Sequence, residues 1–350
     1  MLKINPYKEI ILYEKWIIII FWLAKDATNI LEDRMDYIAE NTNFKLKNSA
    51  VTLGKFDGLH LGHQLLLEQV ISLKKQGYTA VMFSFSYHPG NLFSKKEFEL
   101  IYTEEEKLAK LRNTKMDVLV SYPFTKETSN MEPEDFIKDV LIGKLDAKII
   151  VVGQDFRFGH KRRGDVKLLQ SLAETYGYRV IACEKRKYKD SIISSSEIRK
   201  ELKEGNMETV NEMLGQPYSI LGEVRHGRKL GRTLGLPTTN IIPVSGKLLP
   251  PCGVYASKTI VDGISYPGVT NIGFKPTVGA EKVKGVETYI FDFNQDLYGK
   301  FIEVELYTYE RPELKFNSIE ELKQKMQEDI AFTRNYFLKL NEGNNSSYSN

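Results

Sequence analysis

His60 and His63 stand three residues apart in the stretch VTLGKFDGLHLGHQ, Val51–Gln64, in a chain that has only five histidines. Gly54, Gly58 and Gly62 surround them, and glycines let a backbone turn tightly and come close to a ligand. An apolar run precedes the stretch and an amphipathic one follows it. The reading is therefore a strand, a tight turn and a helix whose N-terminus offers unpaired N–H groups to an anion. Phe56 and Asp57 lie inside the same turn. Two imidazoles one helical turn apart can reach one anion, which suits the β- and γ-phosphates of a nucleotide as pyrophosphate departs. Zinc is the competing reading. It lacks a cysteine, carboxylate or third histidine at ligand spacing nearby.

Two further stretches carry phosphate chemistry. ISSSEIR, Ile193–Arg199, puts Ser194, Ser195 and Ser196 at a helix start, with Arg199 a turn onward as a fork for phosphate. A serine-rich helix start can also be no more than an N-cap. QDFRFGHKRRGD, Gln154–Asp165, gives a basic loop after a strand, or a solvated charge run. Later, LGRTLGLPTTNI, Leu230–Ile242, places Thr238 and Asn240 two residues apart, on one side of an extended strand. Their oxygens suit Mg²⁺ held together with nucleotide phosphates. Gly227, Gly231 and Gly235 make a flexible, phosphate-friendly loop, and Gly222, at Walker-A spacing from Gly227, is a further candidate phosphate contact. The loop is not a Walker A site, because Arg228 replaces the lysine and no Ser or Thr follows Lys229. Glu287 lies in an otherwise apolar strand, either as a solvent-facing residue or as a base in a cleft.

These residues need elements to hold them. From Ala50 to Gly205 short apolar runs alternate with amphipathic ones, which implies a parallel sheet covered on both faces. The strands read are AVTLG, TAVMFSFS, AKIIVVG and YRVIACE. Ligands of such sheets bind beyond the carboxyl ends of the strands, where VTLGKFDG and VVGQDFRFG fall. From Ser219 to Glu310 the texture is β-rich, with an Asp262-Gly263 hairpin turn. A small antiparallel barrel or sandwich results, closed by a helix that begins at Ser318 with a capping box to Glu321. The expected domains are a leader or appended segment at 1–34, an α/β domain at 35–205, a linker at 206–218, a β domain at 219–340 and a disordered tail at 341–350.

With 350 residues the chain has room for two domains. A net charge of +3 does not point to nucleic acid. Two distant cysteines, Cys183 and Cys252, fit a reducing, cytoplasmic setting. The uninterrupted apolar run Trp16–Ala24 is far short of the ~20 residues that span a bilayer, so no obligatory membrane partner is expected. An interfacial anchor is the second reading of that leader.

The motifs GKFDGLHLGH, FSFSYHP, VGQDFRFGHKRRGD and ISSSEIR resemble the adenylyltransferase module of the bacterial bifunctional riboflavin kinase/FAD synthetase family. GRTLGLPTTN, PCGVYA, GVTNIGFKPT, ETYIFDF, DLYG and RPELKF resemble its riboflavin kinase module, in family order. The resemblance implies a Rossmann-like nucleotidyltransferase domain and a kinase barrel. It implies riboflavin, FMN and ATP as substrates, FMN and FAD as products, and Mg²⁺ as cofactor. It makes Thr238 and Asn240 the metal–nucleotide residues and Glu287 the base. His60, His63 and Arg199 serve adenylyl transfer. Phe85, Asp155 and Arg311, which fall within or beside the matching stretches, are candidate flavin contacts. The sequence departs from the family at Tyr289, Lys275 and Ser86-Tyr87, where histidine, arginine and Glu-Pro are common. A monomer or weak homo-oligomer is expected. The rival readings are another H-x-G-H transferase, acting with cytidine nucleotides, pantetheine phosphate or nicotinamide mononucleotide, and a non-catalytic flavin-binding protein.

Overall fold

The computed structural model describes residues 35–86, 99–227, 235–244, 246–276 and 282–346. The predicted leader, Tyr87 and Gly231 lie outside the described residues.

Strands β1 (Asp36–Ala39), β2 (Ser49–Leu53), β3 (Thr79–Phe85), β4 (Val118–Tyr122), β5 (Ala147–Gly153) and β6 (Arg179–Cys183) form one six-stranded sheet in the order β1-β4-β3-β2-β5-β6. Every pairing in it is parallel. All five residues of β2 are buried, as a central strand covered on both faces requires. Alternate side chains serve opposite layers. Ala50, Met82, Leu119 and Val151 pack into one apolar cluster; Val51, Val81, Val120 and Ile150 pack into the other. β1 and β4 were not among the expected strands. VLVSY is a short apolar run without alternation, and such runs are the weakest strand signal.

Helix α1 (Leu61–Ser72) follows β2, passes into a 3-10 turn at Leu73–Gln76 and stops at Gly77 with φ +84°. Helix α2 (Glu104–Arg112) was also not expected, although Thr103 and Glu106 form a complete capping box that the sequence displays. Helices α3 (Ser195–Glu204) and α4 (Met207–Leu214) lead out of the domain. The stretch expected as the linker, 206–218, thus contains a helix. Met207, Val210, Met213 and Leu214 of α4 are buried in the same apolar cluster as one face of the sheet.

The second domain is a closed antiparallel barrel. Its strands β7 (Tyr218–Arg225), β8 (Thr238–Ile241), β9 (Gly253–Val261), β10 (Ile264–Pro276), β11 (Lys282–Ile290) and β12 (Phe301–Arg311) run around it in the order β7-β8-β11-β10-β9-β12. Asp262 and Gly263, at φ +49° and +79°, close the β9–β10 hairpin with Val261 opposite Ile264. Both left-handed values are what a two-residue primed turn needs. Helix α5 (Ile319–Ser346) lies across β9 and β10. Ser318 Oγ accepts from the Glu321 N–H at 3.0 Å, while the Glu321 carboxylate reaches back to Asn317 N at 2.8 Å. The helix extends into the expected disordered tail, since adding residues to a nucleated helix costs little.

The two domains share one core. The cluster that contains Ala50 and Met82 continues through α4 into Tyr218, Ile220, Val286 and Leu306 of the barrel. A buried ion pair crosses the same boundary, Lys247 Nζ to Glu106 Oε2 at 2.6 Å. Removing one partner of such a pair costs about 3–5 kcal/mol. Among the described residues no helix is long and apolar enough to cross a membrane.

Candidate active sites

The first site sits at the carboxyl ends of β2, β3 and β5. Phe56, Gly58 and Leu59 take φ +48°, +93° and +44°, three left-handed residues within one turn. Strain of this kind persists where surrounding packing enforces it, and it clusters at ligand sites. Here Phe56 and Leu59 are buried, and Asp57 between them is buried too. The turn delivers His60 as N-cap of α1, its Nδ1 accepting from His63 N at 3.3 Å. The two rings stack at 3.6 Å between centroids, and Phe56 covers His63 at 5.1 Å. Gly62 leaves room for that stack, since a Cβ there would meet the His60 ring at 3.1 Å. Likewise a Cβ on Gly54 would meet the Phe56 ring at 3.2 Å.

Burial holds His60 down to about 4. Burial, and then the charges of His60 and Lys107, hold His63 well below the ordinary imidazole range. Both are neutral at physiological pH. His63 Nδ1 is buried, with no hydrogen-bond partner among the described residues. The histidines thus offer dipoles and N–H groups to an anion, and formal charge must come from elsewhere. Three cations from three places stand close together: Lys55 in the turn, Arg162 in the loop after β5 and Arg199 on α3. Lys55 lies in the turn itself, and burial, then Arg162 and Arg199, push its ammonium down. Of the KRR run, Arg163 is tied to Glu132, whereas Arg162 is near enough to act on Lys55. Lys161 and Arg162 both adopt left-handed backbone, φ +51° and +60°, in the tight turn that presents them.

Asp57 joins the two sequence motifs. Its carboxylate pairs with Arg199, and its carbonyl accepts from Ser195 Oγ at 2.8 Å. Arg199 also donates to the Ser195 carbonyl at 3.3 Å and to the Glu99 carbonyl at 3.2 Å. Ser194 caps α3, accepting from Glu197 N at 3.2 Å, so the N-cap reading holds for that serine. Ser196 is exposed on the first turn. Phe85 and Asp155 flank the site from the strands on either side of β2. Phe85 packs edge-on against Phe83 and Phe124. Asp155 is exposed and paired with Lys185 at 2.8 Å.

The second site is on the outside of the barrel. Thr288, Thr270 and Ser257 point inward and chain their hydroxyls at 2.8 Å each, and Ile241 and Val286 are buried inward neighbours. The alternate residues therefore face out, and register puts them side by side: Asn240 opposite Glu287, Glu287 opposite Asn271, Thr238 opposite Tyr289. Thr238 Oγ1 donates to Glu287 Oε1 at 2.7 Å. This outer face is covered. Helix α5 and the segment after β12 close a cavity of about 280 Å³ over it, lined by Glu287, Tyr289, Phe316 and Met326 among others. Arg311 and Asp329 line it too, paired at 2.8 and 2.5 Å. Burial and then the Asp329 charge push the neighbouring Glu310 up to about 7. A second cavity of about 330 Å³, lined by Pro237, Asn294 and Asp296, shares Thr238 as a wall.

The glycines sort by position. A Cβ on Gly227 would meet the Asn240 amide at 2.5 Å, so Gly227 admits that side chain. Gly235 keeps φ +75° in open space. Gly222 corrects an expectation: it lies within β7 opposite Ile302, and a Cβ there would press on Ile241 at 3.1 Å. It serves barrel packing rather than a phosphate loop.

The FAD synthetase family model matches residues 43–197, and the riboflavin kinase family model matches 214–337. The bifunctional riboflavin kinase/FMN adenylyltransferase of Buchnera aphidicola subsp. Schizaphis graminum is 39% identical over 300 residues, covering 83% of this chain and 94% of that protein. This chain belongs to the bifunctional riboflavin kinase/FMN adenylyltransferase family. The Bacillus subtilis member is 37% identical over 298 residues, covering 83% of this chain and 93% of that protein. A solved structure titled as a macrolide-efflux protein from Streptococcus pneumoniae superposes with a TM-score of 0.77 at 27% identity, over 86% of this chain and 99% of that one. Its title describes that protein; the family models here match both halves of the chain as flavin enzymes. Within the family frame, sequence reasoning missed Lys55 and the segment Glu99–Tyr102. Lys55 stands inside the GKFDGLHLGH stretch but was passed over there, whereas Glu99–Tyr102 carries no motif and comes beside Asp57 and Arg199 only through the fold.

Proposed function

We infer that the two sites act in series. The barrel phosphorylates riboflavin to FMN with ATP, and the α/β domain joins FMN to the AMP part of a second ATP, releasing pyrophosphate. We assign adenylyl transfer to residues 35–205 and kinase chemistry to 219–340.

In the kinase step the nucleophile is a neutral ribityl hydroxyl, so a base is useful. Glu287 takes that proton as the hydroxyl oxygen attacks the γ-phosphorus and ADP leaves. Thr238 and Asn240 fit Mg²⁺ as a set of neutral oxygens beside a carboxylate. Held there with ATP, Mg²⁺ would supply charge neutralisation on the phosphoryl oxygens. Thr238 stands between the two cavities. The apolar one, with Phe316, Met326 and the Arg311–Asp329 pair, suits a flavin ring with polar edges. The other suits the nucleotide.

In the second step the attacking FMN phosphate is already an anion. A new bond forms from its oxygen to the ATP α-phosphorus, and the bond to pyrophosphate breaks. No proton need be removed, so alignment and charge stabilisation suffice. Lys55, Arg162 and Arg199 supply charge, the start of α1 supplies N–H groups, and neutral His60 and His63 supply further donors. Ser195 and Ser196 complete the phosphate-facing rim. Phe85 and Asp155 flank the place where the FMN ring would lie. Free cysteines at 183 and 252 accord with a cytoplasmic enzyme.

The observation that carries this reading is the Thr238–Glu287 contact at 2.7 Å, set between two cavities. The test is incubation of the full chain with riboflavin, ATP and Mg²⁺, with flavins separated over time. FMN should rise first and FAD follow. A chain that leaves riboflavin unchanged, or that stops at FMN, overturns the series.

A further inference from the structure

Lys247 lies in the barrel, between β8 and β9, yet every group it binds belongs to the boundary with the other domain. Its ammonium has three protons and three acceptors: Glu106 Oε2 at 2.6 Å, the Ile101 carbonyl at 2.7 Å and the Ser219 carbonyl at 2.8 Å. The rings of Tyr218 and Tyr102 sit 4.3 and 4.9 Å from it. The side chain is fully enclosed. Glu106 is equally committed, since it also accepts from Thr103 N at 2.9 Å and from Leu221 N of β7 at 3.0 Å.

The segment Glu99–Tyr102 lies between this pair and the first site. On one side the Ile101 carbonyl takes the lysine, and Leu100 pairs with the backbone on either side of Lys247, at 2.6 Å to the Gly246 carbonyl and 2.8 Å from Leu248 N. On the other side Ile101 N and Tyr102 N donate to Asp57 Oδ1 at 2.9 and 3.4 Å, and the Glu99 carbonyl takes Arg199. Asp57 in turn holds Arg199 and Ser195. One peptide segment is thus gripped by a lysine of the barrel and grips the carboxylate that orients the phosphate-binding arginine.

We propose that Lys247, a residue of the kinase barrel, is a positioning residue for adenylyl transfer: by clamping Glu99–Tyr102 it fixes Asp57, and through Asp57 it fixes Arg199 and Ser195. This rests on the assignment of the first site to adenylyl transfer. It explains why the barrel sends an ammonium group into the boundary, where an apolar side chain would pack without desolvating a charge. It also makes the first site dependent on the second domain's presence, while the acceptors of Lys247 at Ile101, Glu106 and Ser219 do not include the kinase residues Thr238, Asn240 and Glu287.

The test compares the full-length parent with Lys247→Met, Lys247→Arg and the double variant Lys247→Met/Glu106→Gln, which leaves no buried charge unpaired. Each is assayed for both reactions in the same preparation, so the kinase reports on folding. In the Lys247→Met and double variants, kcat/KM for FMN adenylylation should fall at least 10-fold, with the KM for ATP rising, while riboflavin phosphorylation stays within twofold. Lys247→Arg should recover part of the loss. Parallel loss of both activities, or unchanged adenylylation, overturns the proposal. If neither methionine variant folds, hydrogen exchange on the parent decides: Ile101 and Tyr102 amides must be strongly protected, and exchange at the rate of exposed loops overturns the clamp. A parent that makes FMN but no FAD defeats the underlying assignment instead.

Discussion

On the proposed reading, the two sites solve the same problem, holding a polyphosphate, with opposite materials. The first gathers loop and helix ends from across the α/β domain: Lys55, His60 and His63 after β2, Arg162 after β5, and Ser195 and Arg199 on α3. Its histidines are kept neutral by burial and its cations come from separate elements. The second is built on a rigid row of neighbouring strands, where register alone brings Thr238, Asn240 and Glu287 together. One site depends on tertiary assembly; the other on strand pairing. Rigid strands would hold Glu287 in place as the proposed base, which a neutral nucleophile needs. Converging loop ends supply charge, which an anionic nucleophile and a departing pyrophosphate need.

The difference can be broken by substitution. Glu287→Gln should lower FMN formation by about 10²–10⁴-fold, the range lost with a general base, while FMN-to-FAD conversion continues; equal loss of both would mean that the sites are not separate. His63→Ala should lower FAD formation by roughly 10²-fold with FMN accumulating, and undiminished FAD would remove the histidine from the site. Stability should respond to acid through the first region. His60 and His63 refuse protons when folded and accept them when unfolded, so the unfolded state binds more protons between about pH 6.5 and about 4. Stability is full above that window and declines as pH falls through it, by about 3 kcal/mol for His60 alone across the whole window. Denaturant titrations at pH 7, 6 and 5 would measure it, and a flat profile would show that burial does not neutralise the rings. Gly227→Ala pushes a Cβ onto Asn240 and should weaken the kinase by ~10-fold, about 1.4 kcal/mol, with adenylylation unmoved. Smallest is Gly263→Ala, which meets no atom but keeps φ +79°; it should cost about 1 kcal/mol of stability and leave both activities intact, as thermal unfolding and flavin assays would show.

The chemistry-bearing residues were legible because their types are costly anywhere else. Paired histidines among glycines, serines at a helix start with an arginine onward, and a lone glutamate in an apolar strand all stand out against composition. Texture gave the two domains: alternation of strands and helices, then β-rich runs with an Asp-Gly turn. β1, β4 and α2 escaped because VLVSY and DYIA are too short for a period and EEEKLAKLR is mostly polar; only the Thr103–Glu106 capping box announced α2. Gly222 was misread because glycine spacing is the same in a loop and in a strand, and only pairing with β12 distinguishes them.

By itself the sequence determined which groups exist and the local geometry that their neighbours impose: turns at Gly58 and Gly263, caps at Thr103 and Ser194, one-sided placement of Thr238 and Asn240. Only the tertiary structure decided how those groups behave. Burial made His60 and His63 neutral, register set Glu287 beside Thr238, and Asp57 met Arg199 across 142 residues of chain. Lys247 shows the same division most plainly. Nothing local distinguishes it from the chain's other lysines, and its role follows from desolvation and from three carbonyl and carboxylate oxygens that only folding assembles.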